Sequence, residues 1–201
     1  MNCYKFYINK YSFVKDEIPD LSFIPMLMRR KLDNFGKATL YSLYNVYEKN
    51  TEAKLIFASC YGDIERVKKL ITQRQEEGEI SPTGFSFSVH NATIGLFSLL
   101  NSIKSSYNSI SAGKDTLINA LLEAILDTQS SPVIFCYAEN NEKLESLALS
   151  ISKEKQNENS IAITIDLNEK AENKNSFEEI ISFLNGENNT FTTNLYTLKR
   201  G

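Results

Sequence analysis

The nine residues Ser109-Ile110-Ser111-Ala112-Gly113-Lys114-Asp115-Thr116-Leu117 constrain this chain more than any other stretch. They predict a strand that turns sharply into a helix. Tyr107 to Ala112 has a β-compatible pattern, and Gly113 permits a bend that a Cβ would hinder. Asp115 complements the positive end of the following helix. That helix, Thr116 to Leu126, reads TLINALLEAIL and is apolar around most of its circumference, so it is expected to be buried. A strand–turn–helix of this kind is the architecture of a nucleophile elbow. Here the residue expected at its tip is Lys114, with Ala112 and Gly113 forming the bend, and no Cys or Ser stands there.

Elsewhere, strand-like and helix-like patterns alternate. Residues 3–14 alternate Tyr4, Phe6 and Ile8 with polar neighbours, Pro25 opens a helix running to about Tyr47, and KLIFASC (54–60) is a short apolar strand. Asp63 caps a helix whose Ile64, Val67, Leu70 and Ile71 form one apolar stripe before Gly78. FSFSVHNA is expected to be extended, with Phe85, Phe87 and Val89 on one side, and Asn91 to cap the next helix. PVIFCYA (132–138) is apolar on both faces, as in a strand inside a covered sheet. Ile161, Ile163 and Ile165 alternate, Ser176 to Glu179 is a capping box, Gly186 stops that helix, and 191–198 closes as an edge strand. The polar stretches 139–146, 153–159 and 167–175 read as loops. The pattern predicts one α/β domain over residues 1–201, with a mixed central sheet covered by helices and a looser C-terminal third.

Composition narrows the function classes. A net charge of −3, with no clustered basic face, argues against nucleic acid. Three cysteines, Cys3, Cys60 and Cys136, and a single histidine, His90, give neither a disulfide framework nor a zinc site; no metal or cofactor is expected. No run approaches the ~20 apolar residues of a membrane span, and MNCYKFYINKYSF lacks a signal core, so a reducing cytoplasm is the expected location.

The order of these segments resembles the N-terminal half of β-ketoacyl synthases, the condensing enzymes of the thiolase fold. The resemblance rests on MRRKLDNF (28–35), IFASCYGD (56–63), SVHNA (88–92), the elbow and PVIFCYAE, in that order. RRKLDNFGK, SPTGFSFSVHNA and SAGKDTL are similar to short ketosynthase-like subunits of the chain-length-factor type, partners of a full synthase in bacterial polyene pathways. Residues 1–140 match best, and 141–201 only weakly.

The resemblance implies a thiolase-like half-fold. It also implies chemistry that this chain lacks. The family bears a Cys at the elbow, and matching Ala120 and Leu121 to its pattern puts Lys114 in that place. The family's two histidines come from the second half of the fold, for which the chain is too short, and His90 matches neither. The implied role is a noncatalytic partner that pairs with a full-length β-ketoacyl synthase and shapes its acyl tunnel, in polyketide, polyene or fatty-acid-like biosynthesis. Pairing would use the strand from Ser105 to Ser111, including Tyr107 and Ile110, and the turn from Phe85 to Asn91, where Phe85, Phe87 and Val89 would touch the growing chain. Arg29, Arg30 and Lys31 would dock an acidic acyl carrier protein.

Other readings of the same residues stand beside these. Lys114 is a polar plug or a solvated lysine. Cys60 with His90 is a thiolate–imidazole dyad, or Cys60 is a small buried hydrophobe. His90 and Asn91 are an interface or a capped core turn, and the basic triplet is solvated surface. Two rival functions follow: an autonomous acyltransferase using Cys60 or Lys114, and a scaffold that binds carrier protein or forms a homodimer.

Overall fold

A computed structural model describes residues 3–49, 51–167 and 176–201. Most of the loop expected at 167–175 therefore lies outside the described residues. The long first strand, β1 (Cys3–Lys15), is followed by a four-residue helix α1 (Met26–Arg29) and then α2 (Asn34–Val46). The single helix expected from Pro25 to Tyr47 is thus broken. Asp33 causes the break: its Oδ1 accepts the Gly36 N–H at 3.0 Å and starts α2 afresh. As a result Arg29 and Arg30 sit at the C-terminal end of α1, where cations suit the helix dipole, and not at a helix start.

β2 (Lys54–Ala58) leads into α3 (Ile64–Glu77), which begins at the Asp63 cap and ends at left-handed Gly78 as the sequence predicts. No residue of α3 is buried, so its apolar stripe is only half covered. The extended piece expected at 85–92 is instead a short helix, α4 (Pro82–Ser86), and a turn. The alternation of Phe and Ser suggested period two. Ser81, whose Oγ accepts the Gly84 N–H at 3.1 Å, and Pro82 at the first helical position set a helix start instead. α5 (Ala92–Leu100) follows; Asn91 occupies its cap position but makes no side-chain capping bond.

β3 (Tyr107–Ile110), α6 (Thr116–Asp127) and β4 (Val133–Glu139) then form the strand–turn–helix–strand that the sequence predicts. Beyond β4, the sequence reading missed β5 (Glu145–Ser152), taking 139–146 as a loop. β6 (Ile161–Asp166) and α7 (Phe177–Asn185) are where expected, and α7 has the full reciprocal capping box between Ser176 and Glu179. The expected last strand is two, β7 (Thr190–Thr192) and β8 (Thr197–Arg200), of which β7 is the edge.

All eight strands join one mixed sheet in the order β3-β2-β4-β5-β1-β6-β8-β7. β2 runs parallel to both β3 and β4, and the remaining pairs are antiparallel. The C-terminal third is therefore not a loose appendage: β5 is inserted between β4 and β1 near the sheet's centre. Each face has its own core. On one side Leu40, Leu43 and Val46 of α2 and Ile94 and Phe97 of α5 meet Phe57, Ile134 and Ala148. On the other, Leu117, Leu121 and Ile125 of α6 and Ile180 and Phe183 of α7 meet Phe135, Leu149 and Ile163. The result is a helix–sheet–helix sandwich.

Candidate functional site

The parallel strands β2, β3 and β4 all end on one side of the sheet, and chain turns leave their carboxyl ends there. The turn after β3 is the elbow. Gly113 has φ of 59°, the left-handed region that an L side chain resists, so the conformational tip is Gly113. A Cβ built there meets nothing within 4 Å. Thr116 locks the bend by accepting the Ala112 N–H at 2.9 Å and donating to the Gly113 carbonyl at 2.6 Å. Lys114 is exposed beside the tip. The helix it introduces, α6, buries Leu117, Ile118, Ala120, Leu121, Ala124 and Ile125, while Leu126 remains exposed.

A cleft of about 360 Å3 opens in front of the elbow, with Cys60, Lys114, Tyr137, Glu139, Lys143 and Glu145 among its walls. Glu139, only 8% exposed, accepts the backbone N–H of Cys60 and, at 3.4 Å, that of Tyr61. It thereby fills the pair of amides that the β2–α3 turn presents. Burial raises its pKa, against the opposing pull of those amides, the Ser59 hydroxyl and His90. Glu145 stands directly across the β4–β5 ladder from Glu139. Burial and the nearby Glu178 push its carboxyl up to about 7, although Lys143 and Lys15 oppose this. Burial, with Glu139, Glu145 and Cys60 nearby, moves the Tyr137 phenol far above its ordinary range. Sequence reading found none of these carboxylates, because their pairing depends on β5.

The Cys60–His90 dyad is not assembled among the described residues. His90 Nε2 meets the Ser59 carbonyl at 2.8 Å, and its ring packs edge-on against Phe57. Cys136 is wholly buried, and burial pushes its thiol up to about 12. No three His, Cys, Asp or Glu side chains among the described residues form a metal-holding group. Nor is any helix there long and apolar enough to cross a membrane.

A second, shallower depression of about 560 Å3 lies against β3, the strand at one edge of the sheet. It brings His90 and Asn91 of the turn together with Tyr107, Ser109 and Ser111. Tyr107 is 43% exposed, whereas Ile110 is half-buried against the α6 core. Phe85 is 55% exposed on α4 and Val89 is exposed beyond it, but Phe87 is half-buried with the Arg66 guanidinium 5.7 Å from its ring. His90 and Asn91 of the turn and the β3 edge are therefore neighbours. Arg30 and Lys31 are exposed, and the Lys31 carbonyl accepts from Arg66 at 3.0 Å.

Arg66 also ties two helix starts together, pairing with Asp63 at 2.8 Å and Asp33 at 3.2 Å. Burial, then the hydrogen bond and repulsion from Asp33, push Asp63 up to about 7. This cluster fixes the α1–α2 junction against α3.

Residues 8–191 match the family model described as the β-ketoacyl synthase, N-terminal domain. No curated protein matches the chain. Among solved structures, the fold is similar to a chain in the complex of a ketosynthase (ApeO) with its chain length factor (ApeC) from Xenorhabdus doucetiae. The TM-score is 0.69 and the identity 20%, covering 90% of this chain and 84% of that one. It is also similar to a chain of AntDE:AntF, a type II PKS acyl-carrier protein in complex with its ketosynthase bound to the hexaketide, at TM-score 0.62 and 11% identity. The ishigamide ketosynthase/chain length factor gives 0.57 and 8%. In both of these last two cases 74% of this chain covers 62% of the other. At such identities these likenesses speak to the fold alone, which is the thiolase-like fold of ketosynthases. With the family model spanning nearly the whole chain, the protein belongs to the β-ketoacyl synthase N-terminal domain family.

Proposed function

We propose that this protein is a noncatalytic partner subunit of the chain-length-factor type, which pairs with a full-length β-ketoacyl synthase and shapes its acyl tunnel. The observation that carries this reading is the elbow itself. The tip residue by backbone conformation is Gly113, and open space lies where its side chain would project. The turn keeps the geometry that aims a nucleophile, but neither Gly113 nor exposed Lys114 supplies the family's thiol.

The second support is the edge. Among the described strands β3 pairs with β2 alone, so its other edge has no strand beside it and can receive one from a partner. Exposed Tyr107, Val89 and Phe85 around it provide apolar area for an interface. Phe85 and Val89 would reach the partner's tunnel and set product length by steric blocking. Arg30 and Lys31, with Arg29 behind them, would receive an acidic carrier protein. Two of the similar folds come from complexes of a ketosynthase with a chain length factor, in keeping with this role.

Co-expression with the cognate synthase, with product lengths compared between wild type and Phe85→Ala, tests the proposal. A complex whose products lengthen in the variant supports it. Synthase activity and product lengths that are indifferent to this subunit would overturn it. A covalent acyl adduct on Cys60 or Lys114 of the isolated chain would favour an acyltransferase instead.

A further inference from the structure

β3 leaves an edge that natural sheets usually protect against pairing with copies of themselves. Leu55 N–H bonds the Ser106 carbonyl at 3.1 Å, and Ser59 N–H bonds the Ile110 carbonyl at 3.2 Å. By the alternation of a strand, the backbone groups of residues 106, 108 and 110 therefore face β2, and those of Tyr107, Ser109 and Ser111 face the open side. The central outward donor, Ser109 N–H, is not left open. It donates to Asn108 Oδ1 at 3.0 Å. The other end of the same amide, Asn108 Nδ2, donates to Glu123 Oε1 of α6 at 2.8 Å. Both ends of the Asn108 side chain are thus engaged, which fixes its orientation.

We infer that Asn108, held by Glu123, is an edge guard: it caps the outward amide of Ser109 in the free subunit and swings aside when the strand of the partner synthase pairs with β3. The inference rests on the reading of β3 as the pairing edge. It adds what keeps that edge from the wrong occupant, a second copy of this chain. Tyr107, 43% exposed, adds apolar area to the edge on the α5 side, its hydroxyl near Gly95. Without a guard, two copies would bring together both apolar area and unpaired backbone groups. Exchanging one hydrogen bond for another costs little, so a synthase strand with better complementarity can displace the guard. Asn108 is exposed and Glu123 half-buried, and neither belongs to the apolar cores, so removing either leaves those cores in place.

The test compares the isolated wild type with Asn108→Ala and Glu123→Ala by sedimentation velocity and by hydrogen exchange at the Ser109 amide, and then titrates each with the cognate synthase. The wild type is expected to be monomeric, both variants to self-associate about tenfold more tightly or better, and Ser109 exchange in monomeric Asn108→Ala to be about tenfold faster. Variants that behave as the wild type in both measurements, or a wild type that dimerises as tightly as they do, would overturn the guard. The titration separates this from the pairing itself. If the synthase binds the wild type but neither variant self-associates, the guard falls and the pairing stands. If both variants self-associate and the synthase binds no form of the chain, the guard stands and its proposed partner falls.

Discussion

The phenol of Tyr196, wholly buried, donates a 3.0 Å hydrogen bond to the carbonyl of Ile118 in the first half of α6. This links the last turn of the chain to the helix that the elbow launches. The β7–β8 turn thus anchors α6, within the core that α6 shares with the sheet. Tyr196→Phe removes only the hydrogen bond and should lower stability by about 1 kcal/mol. Tyr196→Ala also leaves a cavity and should cost about 3–5 kcal/mol. Urea unfolding of both variants checks the difference; equal losses would show that the hydroxyl, and not the ring, dominates.

Gly113 gives a different kind of prediction. Nothing occupies the space where its Cβ would stand, so Gly113→Ala meets only the cost of a left-handed φ. That amounts to about 1–2 kcal/mol. A larger loss in chemical denaturation would mean that the tip is crowded and that a side chain cannot be restored there.

Asn9 holds the irregularity where β1 changes register against β5 between Ile8 and Lys10. Its side chain donates to Ser152 at 2.7 Å and accepts from Ser160 at 2.7 Å and from the Gln156 N–H at 3.2 Å. Asn9→Ala should cost about 1–3 kcal/mol, because buried Ser152 and its partly buried neighbours lose their shared partner. Asn9→Asp should be at least as harmful, since a carboxylate cannot donate to Ser152. Thermal melts of the two variants measure this.

Buried Asp63 and half-buried Glu145 set a pH dependence, to which buried Glu139 adds in the same direction. Asp63 and Glu145 are each pushed up to about 7 in the folded protein, above their unfolded values of 3.8 and 4.5. The folded state therefore binds more protons between those limits. Stability from these groups is fully present below the unfolded values and is lost as pH rises to about 7. Urea midpoints should fall between roughly pH 4 and pH 7.5, and Glu145→Gln should flatten part of that slope. A slope of the opposite sign would contradict the burial of these groups.

The sequence revealed those features that local chemistry decides. Asp63 and Ser176 announced helix starts, Gly78 and Gly186 announced left-handed ends, and Gly113 announced the elbow, because each conformation is set within a few residues. Where two local signals competed, the reading failed: Ser81-Pro82 imposed a helix start on a Phe–Ser alternation. It failed again where long-range pairing decides. Glu145 to Ser152 has polar flanks, and only its insertion between β4 and β1 makes it a central strand. That insertion also creates the Glu139–Glu145 pair in the cleft. The Asn108–Glu123 contact joins a strand to the following helix across the elbow, and no periodicity encodes it.

The measurement that tests pairing most directly is size-exclusion chromatography with light scattering on the chain co-expressed with its cognate full-length synthase, as wild type and as Ser109→Pro. Proline at 109 removes an N–H that faces the open side of β3, so it leaves the β2–β3 ladder intact while denying a partner strand its central donor. A one-to-one complex for the wild type, lost in a Ser109→Pro variant that still folds, is the predicted result. A wild type that elutes alone, or a complex that Ser109→Pro leaves unchanged, would contradict pairing through this edge.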